Sequence, residues 1–398
     1  MSDFKPANNI QDLQYFGEFG GVNPSITDSS TYTFLKAGTM EGVFEGEIDG
    51  CYLYSRHWNP SNKYLSQALA QMEGTESASV TASGMGAITS TILQLCSAGD
   101  EIVSSRTIYG GTYAFMKNVL PKFGIKTTFV DTVDLEAVKA AMTSNTKVVF
   151  CETISNPLLA VTDIRALSKL TANSEAQLVV DNTFSPMIFS PKELGADIVV
   201  HSMTKFINGM SDCVAGTICG SDEFIASLYD VNDGLAMLLG PVLDSFRSAS
   251  ILKNLRTLHI RMKQHSVNAM LMATKLDADG FKIVYPGLPA HPQHQLMKDM
   301  MNTEFGFGGL FVIDMQTAER ANKLMEEMQD NNVGYLAVSL GSYKTLFSAP
   351  GGSTSSEIPE EERAGMGLTS GLVRISIGLD NDIERTYQMV KSLIEKIN

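Results

Sequence analysis

With 398 residues, 44% of them hydrophobic and 19% charged, the chain can build one large core and a second smaller one, and its composition is neither disordered nor fibrous. Acidic residues outnumber basic ones by 44 to 30, and the resulting net charge of −14 argues against nucleic acid and anionic membranes as partners. The five cysteines, Cys51, Cys96, Cys151, Cys213 and Cys219, lack the even number and the spacing of a disulfide or zinc framework, no apolar run is long enough to span a bilayer, and no basic-then-apolar leader opens the chain, so a cytoplasmic setting is expected.

The first sixty or so residues, rich in Gly, Thr, Tyr and Phe, have no regular period and suit neither core. They read either as an arm, residues 1–60, that reaches a neighbouring subunit or as a loose terminus. From Ser77 to about Ile218, short β-branched runs alternate with helix-length stretches: SASVTA and GAITSTILQL, DEIVSS and TYAFMKNVLPKF, IKTTFVD and DLEAVKAAM, KVVFCE and TDIRALSKL, then QLVVDN, DIVVHS and VAGTICG. Apolar strands separated by helices predict an α/β domain, residues 61–245, with a mostly parallel sheet covered on both faces and ligands beyond the strands' carboxyl ends. Near residue 245, SASILKNLRTLHIRMKQHSVNAMLMATKL reads as one long amphipathic helix leading out of that domain. GGLFVIDM, a helix over roughly 317–328, the strands YLAVSL and LVRISIGL, and a last helix burying Ile383, Tyr387, Val390, Ile394 and Ile397 complete a smaller α+β domain, residues 246–398.

Three features fall at predicted carboxyl ends. After SASVTA, the turn Ser83-Gly84-Met85-Gly86-Ala87 opens directly into a helix, where bare backbone and the helix dipole suit a phosphate; a tight connection without ligand explains the same glycines. The GMGAIT run lacks the final Gly or Ala of a dinucleotide fingerprint, which weakens a nicotinamide-oxidoreductase reading. Asp181 ends an otherwise apolar strand, either to pair with a buried cation or to cap the following turn. Lys205 follows DIVVHS, flanked by the hydroxyls of Ser202 and Thr204. Partial desolvation there lowers an amine's pKa and makes it a nucleophile toward carbonyls, although most loop lysines are simply solvated. A phosphate seat, a carboxylate and a lysine on one sheet edge match the phosphate, the ring nitrogen and the aldehyde of pyridoxal 5′-phosphate. Tyr109, after DEIVSS, is placed to stack on such a ring. A metal reading could start from His291 and His294 in HPQHQ, but no other ligands with metal spacing accompany them, so no metal is expected.

The ordered segments YSRHWNPSN, ASGMGAI, YGGTY, SNP, VVDNT, HSMTKFINGMSD, SLGSYKTL and LVRISIGL resemble the Cys/Met-metabolism family of pyridoxal-phosphate enzymes from about residue 50 to the C-terminus. The resemblance implies a fold-type I, aminotransferase-like domain and a homotetramer built as a dimer of dimers. It also makes Lys205 the lysine that bonds the coenzyme, Asp181 the partner of its ring nitrogen, and Gly84, Met85, Ser202 and Thr204 its phosphate seat. Tyr54 and Arg56 would reach that phosphate from the neighbouring subunit. Tyr109 would stack on the ring and protonate the leaving group, Asn156 would lie near the ring hydroxyl, Arg374 would clamp the carboxylate of a small amino-acid substrate, and Ser339 would sit between that carboxylate and Lys205. Arg374 could instead be a salt-bridged strand residue, but a planar fork in an apolar strand favours bidentate carboxylate binding.

Among the family's reactions, γ-elimination of the methionine γ-lyase type is expected, giving 2-oxobutanoate, ammonia and a thiol. The alternative is γ-replacement by an O-acylhomoserine sulfhydrylase or a cystathionine γ-synthase. Leu53 and Val338 are apolar where cystathionine-handling relatives often carry acids, which suits a thioether. Gly111, the Ala236-Met237 pair and Lys344 depart from the methionine γ-lyase pattern and keep other γ-substituted amino acids open. Trp58 reads as either a wall of the pocket or a packing residue. The loop GGSTSSEIPEEERAGMG is a candidate cover for the site.

Overall fold

Each of the seven apolar runs forms a strand: β1 Ser77–Thr81, β2 Glu101–Ser105, β3 Lys126–Val130, β4 Thr146–Glu152, β5 Gln177–Asp181, β6 Ile198–Ser202 and β7 Gly216–Gly220. In this computed structural model, which describes residues 4–44, 48, 50–156, 158–352 and 367–397, they make one sheet in the order β1-β7-β6-β5-β4-β2-β3. Strands β2 to β6 pair in parallel, whereas β7 is antiparallel to both β1 and β6. A parallel partner needs a long crossover, and the link from β6 to β7 contains no α-helix, so β7 returns antiparallel. The other six strands therefore end on one edge.

Along β4 and β5 the side chains alternate between two cores. Val149, Cys151, Leu178 and Val180 join one apolar cluster, while Val148, Phe150 and Val179 join the other. Both faces of the sheet are covered, which is why these strands are apolar throughout. On the first face lies helix α1, Pro60–Glu73, which starts from Asn59, whose Oδ1 accepts from the Ser61 N–H at 2.8 Å, and ends at Gly74 in the left-handed region, φ 72°. Helix α2, Gly84–Leu95, follows β1 and packs toward the second cluster.

The expected long helix after residue 245 is two helices, α3 Ser245–Leu255 and α4 Leu258–Ala278. The break has a local cause: the Asn254 carbonyl accepts from the Thr257 N–H at 3.1 Å, the Thr257 hydroxyl at 3.0 Å and the buried Arg261 guanidinium at 2.9 Å. Periodicity could not reveal it, since the apolar face runs on across the break. Arg261 also donates to the carbonyls of Phe206 at 2.5 Å and Ile207 at 2.8 Å, which ties α4 to the turn that carries Lys205.

The second sheet comprises β8 Ile283–Val284, β9 Leu310–Asp314, β10 Tyr335–Leu336, β11 Leu346–Ser348 and β12 Leu372–Ser376, in the order β10-β11-β12-β9-β8. Helices α5, Ala318–Asp330, and α6, Ile383–Ile397, cover it. In α6, Tyr387, Val390, Leu393 and Ile394 are buried, while Ile383 and Ile397 pack at the margin. The strand expected over YLAVSL stops at Leu336, because the chain turns there toward the large sheet. A Cβ on Gly341 would lie 2.5 Å from the Phe206 nitrogen and 2.9 Å from the Lys205 carbonyl carbon, so backbone meets backbone at this position and Gly341, φ 73°, has no room for a side chain.

The expected arm contains two kinds of segment. Residues 6–15 dock on their own chain, with Ala7, Ile10, Leu13 and Tyr15 against the first cluster and the Tyr15 hydroxyl donating to the Tyr64 carbonyl at 2.9 Å. Beyond them Phe16, Phe19, Val22 and Leu35 are almost fully exposed. The GGSTSSEIPEEERAGMG loop lies mostly outside the described residues. No helix among the described residues is long and apolar enough to cross a membrane.

Candidate active site

The carboxyl ends of β1, β4, β5 and β6 enclose a cavity of about 380 Å³, closed on its far side by the 338–340 segment and Arg374 of the second sheet. Ten of the sequence candidates line it: Gly84, Met85, Tyr109, Asn156, Asp181, Ser202, Thr204, Lys205, Ser339 and Arg374. Tyr54 and Arg56 do not line it. Arg56 donates to the Met237 carbonyl at 2.9 Å, and its guanidinium lies 5.7 Å from the ring centre of Tyr54. Trp58 packs on Tyr229, ring centres 4.4 Å apart, so it serves the core of its own chain, and Lys344 lies outside the cavity. The His294 Nδ1 lies 2.8 Å from the Pro286 carbonyl and its ring stacks on Phe307; among the described residues no group of three or more His, Cys, Asp or Glu side chains could hold a metal ion.

The phosphate-sized end is built on helix α2. The Ser83 hydroxyl accepts from the Gly86 N–H at 2.9 Å and the Ser83 carbonyl from the Ala87 N–H, which leaves the Gly84 and Met85 N–H groups in the unpaired first turn. A Cβ on Gly84 would lie 2.7 Å from the Ser202 Cβ, so the two strand ends form a cradle that any side chain at position 84 would fill. Ser202 faces this cradle, but the Thr204 hydroxyl is engaged with Ala215, accepting its N–H at 2.9 Å and lying 3.3 Å from its carbonyl.

Lys205 donates to the Ser339 hydroxyl at 3.1 Å, and its pKa is pushed down to about 8 by burial and, less strongly, by the nearby Arg374 cation. Arg374 is 1% exposed. Nη1 donates to Asn156 Oδ1 at 2.7 Å and Nη2 to the Ser339 carbonyl at 3.2 Å and the Ser348 hydroxyl at 3.4 Å, while Nε has no partner among the described residues. These acceptors are neutral, so among the described residues no ion pair balances the charge of Arg374, which suits the carboxylate-binding reading. Because Asn156 spends its oxygen on Arg374, its Nδ2 is left as the donor for a ligand.

Asp181 is buried, accepts from the Thr183 N–H at 2.9 Å and faces Glu152 as its register partner on β4. Burial raises the pKa of both carboxyls, and the charge of Asp181 raises that of Glu152 further. A cationic ring nitrogen would relieve both effects. The cradle, the neutralisable lysine and these cation-poor carboxyls together fit pyridoxal phosphate: Gly84, Met85 and Ser202 would hold its phosphate, Asp181 its nitrogen and Lys205 its aldehyde carbon.

The sequence candidates omit Glu152 and the apolar wall of Ile88, Ile154, Phe184, Val214 and Leu340. Glu152 gives the same signal as Asp181, a carboxylate ending an apolar strand. The wall residues come from loops and helices whose aim no pattern discloses.

The family described as Cys/Met metabolism PLP-dependent enzyme matches residues 8–388. Over 394 residues the chain is 44% identical to a methionine gamma-lyase of Arabidopsis thaliana, covering 97% of this chain and 89% of that protein. It is 39% identical to an L-methionine gamma-lyase of Fusobacterium nucleatum subsp. polymorphum, with 95% of each covered. The fold superposes with a TM-score of 0.91 on a putative O-acetylhomoserine (thiol)-lyase of Campylobacter jejuni, 27% identical, which carries a pyridoxyl-lysine phosphate; the match covers 98% of this chain and 100% of that one.

Proposed function

Because the chain belongs to the Cys/Met metabolism family of pyridoxal phosphate-dependent enzymes, we propose that it is a carbon–sulfur lyase of the methionine γ-lyase type. It would convert methionine or a similar γ-substituted amino acid and water to 2-oxobutanoate, ammonia and a thiol. The reading rests above all on one arrangement: Lys205 and Arg374 share a cavity whose lining includes an apolar set, Ile88, Ile154, Phe184, Val214, Val338 and Leu340, which accommodates a thioether.

When bound, the coenzyme supplies an electron-withdrawing ring that takes up the negative charge left on the substrate's Cα. The chain's own groups do the rest. Arg374 and the Asn156 amide orient the substrate carboxylate. Lys205, with a pKa near 8, takes the proton from Cα, would pass it to the coenzyme's former aldehyde carbon and, neutral again, takes one from Cβ, which makes the γ-substituent expellable. Tyr109 covers the opposite side and gives its phenolic proton to the departing sulfur. Ser339 holds the Lys205 amine between these transfers.

The domain limits at residues 60 and 245, a cytoplasmic location and a homotetramer with the active site shared across subunits belong to the same proposal. Tyr54 and Arg56, which miss their own chain's cavity, and the exposed apolar side chains from Phe16 to Leu35 support the sharing. The deciding assay supplies methionine alone to the purified protein. Release of 2-oxobutanoate supports the lyase, whereas turnover only with an activated homoserine ester plus a thiol makes the protein a γ-replacement synthase.

A further inference from the structure

Glu152 ends β4 inside the cavity and is 6% exposed. Among the described residues, neither of its oxygens lies within ion-pair distance of a cation. Oε1 accepts the backbone N–H of Tyr109 at 2.7 Å, and Oε2 accepts the backbone N–H of Asn156 at 2.9 Å. One carboxylate thus spans two separate turns, the one that follows β2 and the one that follows β4.

Burying a carboxylate without a cation is costly, and a strand end needing only bulk would be served by an apolar side chain. Both groups that Glu152 meets are donors, so the position requires two acceptors a fixed distance apart. A carboxylate on a two-carbon stem provides that. An amide presents one acceptor and one clashing donor, and a shorter acid cannot reach both turns. Tyr109 and Asn156 have different tasks in the reaction proposed above. The tyrosine ring lies against Gly111, where an added Cβ would come 2.5 Å from the Tyr109 Cε1, and Asn156 holds Arg374 at 2.7 Å.

We propose that Glu152 is a positioning residue: by holding both backbones with one carboxylate it fixes the spacing between the aromatic cover of the coenzyme and the amide–guanidinium pair that takes the substrate carboxylate. This rests on the functional reading above. It extends that reading to a cavity residue that acts through the two backbones it holds.

The test compares the wild-type holoenzyme with Glu152→Gln and Glu152→Asp by visible absorption, visible circular dichroism of the bound coenzyme, and kcat and KM for methionine. Both variants keep Lys205, so both should keep the absorption band. Each should lose dichroic amplitude and show KM raised and kcat lowered by roughly tenfold or more, as expected for losing one charge-assisted hydrogen bond. If Asp restores wild-type dichroism and kinetics, charge alone matters and the clamp is wrong; unchanged values in Gln overturn it equally. Should the variants fail to fold, hydrogen exchange in the wild-type holoenzyme still decides: the Tyr109 and Asn156 amides must both be protected, and free exchange at either refutes the clamp. A wild type with no visible band or no amino-acid turnover defeats the functional reading instead, while leaving the exchange result to judge the clamp.

Discussion

Burial and the cation beside it lower the pKa of Lys205, which is what its proposed role requires, and both effects have a sign that can be measured. The folded chain binds fewer protons at this amine than the unfolded chain between about pH 8 and the ordinary lysine value of 10.5, so stability of the coenzyme-free protein should rise with pH across that window. Denaturant titrations at several pH values check it, and Lys205→Met should abolish that rise. Over the same region capture of added pyridoxal phosphate should accelerate as pH rises through about 8, followed by the visible band. Arg374→Lys keeps the charge but loses the planar fork, so KM for methionine should rise by about 10- to 100-fold, from steady-state kinetics. At this scale the sequence was informative wherever a polar residue interrupts an apolar run. Asp181, Lys205 and Arg374 stood out for that reason, and Glu152 met the same criterion. Thr204 lines the cavity as its place beside the lysine suggests, but its hydroxyl also bonds Ala215, a residue eleven positions on that no local pattern pairs with it.

Elements followed the alternation of short apolar runs closely because parallel strands buried on both faces leave little ambiguity of period. The turn between β1 and α2 is the element that would seat the coenzyme phosphate on the proposed reading. Gly84→Ala places a methyl 2.7 Å from Ser202, overpacking of a kind that costs about 1–3 kcal/mol, so affinity for pyridoxal phosphate should fall by about 5- to 150-fold. Equilibrium titration of the visible band measures it, and unchanged affinity would show that the cradle is not the phosphate seat. The break between α3 and α4 escaped detection because its cause is a guanidinium one turn onward that reaches back to Asn254, and hydrophobic period carries no trace of such a bond.

For the whole molecule the shared-site reading makes a sharp demand. Lys205→Ala and Arg56→Ala should each be nearly inactive alone. When the two are unfolded and refolded together, mixed assemblies should recover a quarter to a half of wild-type turnover, because one cavity in each mixed pair receives both native residues. No recovery on mixing would mean that each chain completes its own site. The two-sheet plan was visible in the change of texture near residue 245, whereas the way the sheets meet was not, since contact across more than a hundred residues leaves no local pattern. That contact has a mechanical corollary. At Gly341 the segment from the small sheet rests directly on the peptide that bears Lys205, and the Tyr343 N–H is bonded to the Gly209 carbonyl at 2.9 Å. Backbone resting on backbone leaves little slack between the two lobes here, so on the proposed reading a tilt of the smaller one would carry the Lys205 peptide with it, and the residue meant to grip the substrate and the one meant to deprotonate it would move together.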